Sequence, residues 1–471
     1  MIAGIAVTLV GCAFLFALSI RRPQWGVIAV AGLIPFHGLL LVTPLSMSFW
    51  KEAAVLTVLL SGVFARRRTT DRVVPAPWLL PLVLLVPFGV ISAVVVLGTG
   101  SFFPIKIAFF YVLLGLVAVL FPFTRRDKDL FVTVLLTAGI VSALYGIWQQ
   151  FAGPYALADM GYEWNEQIRS AGPLLRSFGT FNQPFPFGLF LMLVIIVGAA
   201  AALAEPRRLR STIYLAAFPV LTAGMILSVV RASYLGAAVG LVVIGVLVHR
   251  RFLGWLTVAT IVALPVVAAL AATVGTSVLA TFTSSSSLEE RGAHWSVNLP
   301  LILSQPLGQG LGTTGSAAAR SVEGYDPAAP LYQPDSYYVK VLLELGPLGM
   351  AAYAAVVALM MISLVRIMRL TEDPFERGLA ASAVAVTAAA CVAAGFSTYL
   401  EIFPMDAYFW LLPAIAASTS PWVRDLVLAP AFPSRRSGTD AQRTESTTAE
   451  IPERNDASEK RAAKRASPDA E

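Results

Sequence analysis

Five residues stand out for their chemistry before any fold is considered. Arg231 sits in ILSVVRASYLG between two apolar runs, and Arg176 in LLRSFGTFNQPFPFGLFL just ahead of another. Arg291 and His294 open EERGAHWSVNLPLILSQPLGQGLGTTG, and Asp335 heads QPDSYYVKVLLELGPLG. A guanidinium beside hydrocarbon is costly and is kept where it pairs or binds. Its planar fork matches a phosphate, so anion binding is the chemistry expected of Arg231, Arg291 and Arg176. The plainer reading of Arg231 is a snorkelling side chain that marks a tight turn. Asp335 is expected to cap the helix that follows it, and a carboxylate at that boundary is also a candidate general base.

Smaller signals accompany these. Asn182, close to Arg176 and Thr180, is a candidate contact for phosphate or sugar hydroxyls. His294 alone is too weak a signal for a base and is counted, with Tyr338, among candidate substrate contacts. Apolar residues from Trp295 to Leu303 repeat at helical spacing, which predicts a short amphipathic surface helix ending in a flexible Gly turn, PLGQGLGTTG. That turn lacks the Gly-Lys-Ser/Thr of a phosphate loop. Lys340 and Glu344 stand four apart and are expected to pair. Glu344 lies nine residues beyond Asp335, hence on the opposite helix face and about 13 Å deeper, so one helix cannot bring both acids to one site.

The elements that position these residues are membrane helices. Apolar residues make up 57% of the chain and charged ones only 13%, against roughly a quarter charged in a soluble domain. Repeated apolar runs of roughly 20 residues, ended by Arg, Pro or Gly, predict an all-α polytopic membrane protein with about 12–13 spans. The expected organisation is N-terminal spans over 1–151, a first large loop at 152–183 and central spans over 184–274. A main loop at 275–335, C-terminal spans over 336–423 and a tail at 424–471 complete it. The tail, rich in Ser, Thr, Ala, Arg and Glu, is expected to be disordered.

Basic clusters at Arg21–Arg22, Arg66–Arg68, Arg125–Arg126, Arg207–Arg210, Arg250–Arg251 and Arg366–Arg369 fall on one side when the spans alternate. The positive-inside rule makes that side cytoplasmic and puts both large loops outside. The net charge of +6 therefore reports helix orientation and not nucleic-acid binding. Lys51, Lys106, Arg169, Arg176, Arg231, Arg291, Arg320 and Lys340 oppose the rule and need a local reason. Cys12 and Cys391 lie in apolar runs and predict neither disulfide nor metal chemistry. The first run, with no basic leader and no small-residue cleavage site, reads as a retained span.

Taken in order, YGIWQQFAG, RSFGTFNQP, VVRASYLG, ERGAHW, PLGQGLG and DSYYVKVLLELGPLG resemble the O-antigen ligase and polymerase superfamily. The resemblance implies a GT-C-type membrane glycosyltransferase with two large extracytoplasmic loops, working at the outer face of the bacterial inner membrane. It implies a glycan on undecaprenyl diphosphate as donor, a lipid-linked glycan or another lipid as acceptor, and inversion at the anomeric carbon. No metal or other cofactor is implied, and accompanying export or chain-length proteins are conceivable partners. The ligases carry a histidine where this chain has Asp335, which turns the expectation toward a surface polysaccharide polymerase. Arg231, Arg291 and Asp335 are then the expected catalytic residues, with Arg176, Asn182, His294 and Tyr338 on the substrate. The rival class, a flippase for the same lipid-linked anion, would want polar residues along a membrane-crossing path, and the spans are nearly clean.

Overall fold

A computed structural model of the chain describes residues 2–42, 49–66, 76–172, 174–258, 261, 296, 298–315, 317–318 and 334–418. Its helices are α1 (Ile2–Ser19), α2 (Pro23–Leu33), α3 (His37–Val42), α4 (Trp50–Arg66), α5 (Leu79–Leu97), α6 (Phe102–Phe109) and α7 (Val112–Leu120). They continue as α8 (Arg125–Asp159), α9 (Pro184–Ala204), α10 (Leu209–Leu227), α11 (Arg231–Leu247), α12 (Tyr337–Leu370), α13 (Pro374–Ala394) and α14 (Met405–Ala417). Among the described residues seven helical segments are long and apolar enough to cross a membrane, and Gly4–Ser19, Arg231–Leu247 and Met405–Ala417 are shorter apolar helices. The chain is thus an all-α polytopic membrane protein, as its composition requires. The expected disordered tail at 424–471 lies outside the described residues, as do Arg291, His294 and Arg320.

The centre of the bundle is α9, whose side chains from Phe187 to Val197 are buried all round, as a helix apolar on every face must be. Against it pack α8, α10, α11 and α13, and α13 also meets α12 and α14. Small residues set these distances. Gly236 and Gly240 of α11 lie against the Ala389 and Ala385 carbonyls of α13, where a Cβ would find 3.2 and 3.5 Å. Such spacing of small residues lets two backbones approach where no hydrophobic effect pulls helices together in lipid.

One face of the bundle is laced with ion pairs. Arg125 bonds Asp373 at 2.6 Å and Glu205 at 2.7 Å, Lys128 meets Glu376 at 3.3 Å, and Arg210 meets Glu205 at 3.1 Å. Arg208 and Arg210 both reach Asp129. The basic clusters therefore do more than orient helices: Arg125, Arg208 and Arg210 tie together the ends of α8, α9, α10, α12 and α13. A capping box at the start of α8, Thr124 with Asp127, fixes the same end.

Several helices break where the chain turns toward the opposite face. Pro35 ends α2 in a single 3₁₀ turn, Ile34–Phe36, before α3. The segment expected as loop from residue 152 begins instead with further helix, because α8 runs to Asp159 across a kink at Gly153 (φ 78°) and Pro154. After it come a short hairpin, β1 (Ser170–Ala171) with β2 (Leu174–Leu175), and then α9, which starts at the expected Pro184.

Candidate functional site

The two motifs that flank the first large loop fit together. Gln149 of α8 accepts from the amides of Phe178 and Gly179 at 3.1 and 2.9 Å, and its Nε2 donates to the Gly179 carbonyl at 3.0 Å. Gln150 donates to the Leu175 carbonyl and to Ser177 Oγ, both at 2.7 Å. Thr180 Oγ1 donates to the Pro35 carbonyl at 2.8 Å. YGIWQQFAG thus holds RSFGTFNQP as a rigid strap, with Arg176 at one end and Asn182 at the other. Buried amides satisfied this fully leave the strap little freedom.

Arg176 is turned toward the junction of α10 and α11. Its guanidinium makes long contacts of 3.4 Å to the carbonyls of Ser228 and Val229 and stacks on Phe185, 5.2 Å from the ring centroid. Burial first, then the like charges of Arg169 and Arg231, hold the Arg176 guanidinium below its usual range, with Tyr234 acting the other way. Three guanidinium groups therefore share one neighbourhood. A cavity of about 570 Å³ opens beside them, lined by Trp164, Asn165, Ile168, Arg169, Ser170 and Arg176.

Arg231 is the first residue of α11, where a cation opposes the positive end of the helix dipole. Val229, two residues before it, has φ 54°, a left-handed conformation that a β-branched residue adopts only under constraint. The constraint is visible: Ser177 N donates to the Leu227 carbonyl at 2.9 Å and Tyr234 Oη to the Ile226 carbonyl at 2.6 Å. A strained turn therefore carries a cation at the positive end of its helix dipole.

A larger cavity of about 760 Å³ opens next to the first. Its walls come from His37 of α3, Lys51 and Glu52 of α4, Lys106 of α6, and Tyr111 between α6 and α7. Glu166 and Arg169 enter from the first loop, Asn182 from the strap, Asp335 from the approach to α12, Glu401 from the turn between α13 and α14, and Asp406 from the first turn of α14. Among its described lining residues the carboxylates Glu52, Glu166, Asp335, Glu401 and Asp406 outnumber the cations Lys51, Lys106 and Arg169. Lys106 approaches Glu52 at 2.6 Å, off the line of a directed hydrogen bond, so the contact is ionic. Lys51 lies 4.1 Å above the Phe403 ring, a cation–π contact. His37 Nδ1 accepts from Trp50 Nε1 at 3.1 Å, so a neutral His37 carries its proton on Nε2. Arg169 lines both cavities.

Asp335 is exposed at the cavity but is not the helix cap expected of it. The N-cap is Ser336, which makes no side-chain capping bond, and Asp335 stands one residue earlier. Pro334 and Asp335 both line the cavity. Tyr338 is turned the other way, its hydroxyl donating to the Cys391 carbonyl of α13 at 2.6 Å.

The PLGQGLGTTG turn is not the flexible segment its glycines predicted. α12 kinks at Gly346 (φ 65°), just before Pro347, and the kink frees the carbonyls of Leu343 and Glu344. Gln309 N and Gly310 N donate to them at 2.8 and 2.9 Å. The approach is so close that a Cβ on Gly308 would lie 2.4 Å from the Glu344 carbonyl, and one on Gly346 2.2 Å from that of Pro306. Ahead of this turn residues 298–304 are helical, and Ile302 packs on Val339 and Leu343 of α12.

Below the turn, Lys340 and Glu344 pair as expected, at 2.6 Å and almost fully buried. Thr314 donates to Glu344 Oε1 through its amide (3.1 Å) and hydroxyl (2.8 Å). Lys340 also donates to the Thr314 carbonyl at 2.9 Å and reaches Glu401 at 3.1 Å. One ammonium thus serves two carboxylates, and burial pushes the Glu401 carboxyl up to about 7, with Lys340 pulling it down and Glu344 adding to the rise.

Sequence reasoning flagged Lys51 and Lys106 only as cations that oppose the orientation rule, and it missed His37, Glu52, Glu166, Glu401 and Asp406. The signal available was polarity at helix ends, in FHGLL, WKEA and LEIFPMDAY. Among the described residues no group of His, Cys, Asp and Glu could hold a metal ion.

Residues 215–354 match the family described as O-antigen ligase. The match runs from within α10 through α11 and the main loop to the middle of α12, and it supports the O-antigen ligase and polymerase superfamily that the motifs resemble. No curated protein matches the chain.

Proposed function

We propose that the chain transfers a glycan from a polyprenyl diphosphate carrier to a second lipid-linked glycan, as a surface polysaccharide polymerase. The observation that carries this reading is Arg169, which lines both the arginine-walled pocket and the carboxylate-rich cavity. A diphosphate placed at Arg169, Arg176 and Arg231 leaves its sugar at the mouth of the larger cavity. The carboxylates there suit hydroxyl groups, which donate to them, far better than a second dense anion.

The residues divide the reaction between them. An acceptor hydroxyl oxygen attacks the anomeric carbon while the bond from that carbon to the diphosphate oxygen breaks. The lipid diphosphate leaves with the bonding electrons, and guanidinium groups stabilise the charge that grows on it. Asp335 takes the hydroxyl proton as general base. Direct displacement inverts the anomeric configuration. Arg291, one residue of the matched segment, is assigned to the leaving diphosphate with Arg231, and Asn182 and His294 to the sugar. The face that carries both cavities is the extracytoplasmic face of the inner membrane in this reading.

A ligase would use the same donor site with a different acceptor, so supplying acceptors separates the two. Purified protein given only glycan-loaded polyprenyl diphosphate should release free lipid diphosphate and form glycan of two or more units. Release that requires an added non-polyprenyl lipid acceptor would make the protein a ligase. Movement of intact carrier across the bilayer without release would make it a flippase and refute the reading.

A further inference from the structure

The ion-paired face uses some of its cations and leaves others over. Arg125, Lys128, Arg208 and Arg210 each meet an acid. Arg22, just ahead of α2, and Arg126, in the first turn of α8, are exposed and have no carboxylate partner among the described residues. The acid one turn on from Arg126, Asp129, is already shared by Arg208 and Arg210. Gln24 Nε2 donates to the Pro122 carbonyl at 3.0 Å, which brings the start of α2 to the start of α8.

Next to these two arginines a groove of about 440 Å³ opens between α1, α2 and α8. Trp25, Ala29 and Leu33 of α2 line it at intervals of four, a single helix face, with Leu18 of α1 and Leu130 and Val134 of α8 as the other walls. From Trp25 to Leu33 it runs about 12 Å, inward from the ion-paired boundary, and Trp25, Leu33 and Leu130 are exposed. At its deep end α2 and α8 touch, and a Cβ on Gly32 would lie 2.6 Å from Val134. At its boundary end the Arg22 guanidinium lies 5.5 Å from the centroid of the Trp25 ring. Arg126 stands there too, one turn before Leu130 on the same face of α8. The groove shares no residue with the two cavities described above.

We infer that this groove binds an anionic phospholipid, with one acyl chain along Trp25, Ala29 and Leu33 and the phosphate at Arg22 and Arg126. Charge complementarity sets the occupant. The groove is lined by apolar side chains and ends in two guanidinium groups, whose planar forks match a phosphate. A head with net negative charge is attracted to them, whereas a zwitterionic head sets its own cation against them. Helix orientation also asks for cations on this side, but it needs no groove beside them and expresses no preference between lipids.

Native mass spectrometry of the full chain, offered equimolar phosphatidylglycerol and phosphatidylcholine with the same acyl chains, reads that preference. Wild type should retain phosphatidylglycerol over phosphatidylcholine by about tenfold, and Arg22→Gln with Arg126→Gln should bring the two lipids close to parity. Arg207→Gln with Arg250→Gln removes the same charge from exposed positions that do not line the groove, and should leave the preference as in wild type. Ala29→Leu, which narrows the groove under intact arginines, should lower the amount of phosphatidylglycerol retained. Parity of the two lipids on wild type would overturn the site. An equal loss of preference in both arginine pairs, the mark of bulk charge, would do the same, as would unchanged retention by Ala29→Leu. A chain that retains no lipid and forms a dimer sensitive to Ala29→Leu would give the groove to a second copy and refute the inference.

Discussion

Arg231 and Arg176 were legible in the sequence because a guanidinium beside hydrocarbon has few uses. Their convergence was not, since Arg176 reaches the α10–α11 turn only through the strap that Gln149 and Gln150 hold. Arg231→Lys keeps the charge but loses the planar fork, so glycan transfer should fall by at least about tenfold, one bidentate contact being worth more than ~1.4 kcal/mol. Initial rates at equal membrane protein level measure it, and a rate equal to wild type would remove Arg231 from the site. The expectation that failed at this scale, Asp335 as a cap, failed by a single residue. Helix starts read from sequence carry that margin. Glu401 and Asp406 went unread because each stands alone between apolar residues. Only the fold brings them beside Lys340 and Lys51.

Among the elements, α12 depends most on one cation. Lys340 holds Glu344, almost fully buried, and Glu401 at the cavity wall. Lys340→Met would leave the buried Glu344 carboxylate, and the half-buried Glu401, without their ammonium, and the expected loss is about 3–5 kcal/mol. It would be read as a large drop in melting temperature or as absence of folded protein from the membrane. A melting temperature within a degree or two of wild type would contradict it. Glu401 has the opposite sense. Its folded pKa of about 7 lies above its ordinary 4.5, so its contribution to stability is present below about pH 4.5 and is lost as the pH rises to about 7. Glu401→Gln removes that loss. The melting temperature of the variant relative to wild type should therefore rise between pH 5 and pH 8, and a difference that is flat with pH would refute the assignment. The pairing of Lys340 with Glu344 was readable from their spacing. The third partner and the clamp from Thr314 were not, because they join segments 26 to 61 residues apart in the chain.

For the molecule as a whole, composition and the period of the apolar runs were sufficient for an all-α membrane protein. The ion-paired face was half legible: the basic clusters were visible, but the acids Asp129, Glu205 and Asp373 that pair with them lie in separate segments of the chain. If that face is cytoplasmic, an impermeant thiol reagent added to intact cells should label Ser285→Cys and spare Ser437→Cys, with Cys12 and Cys391 replaced beforehand. The reverse pattern would invert the molecule. The central claim is that this fold places a general base beside an arginine-bound diphosphate to join glycans. Glycan elongation by purified Asp335→Asn, set against wild type at equal protein and equal melting temperature, tests it most directly. Asn preserves the size and the hydrogen-bonding oxygen of the side chain but cannot take the proton, so elongation should fall about 100-fold or more with inorganic diphosphate still bound. Elongation near the wild-type rate would contradict the account.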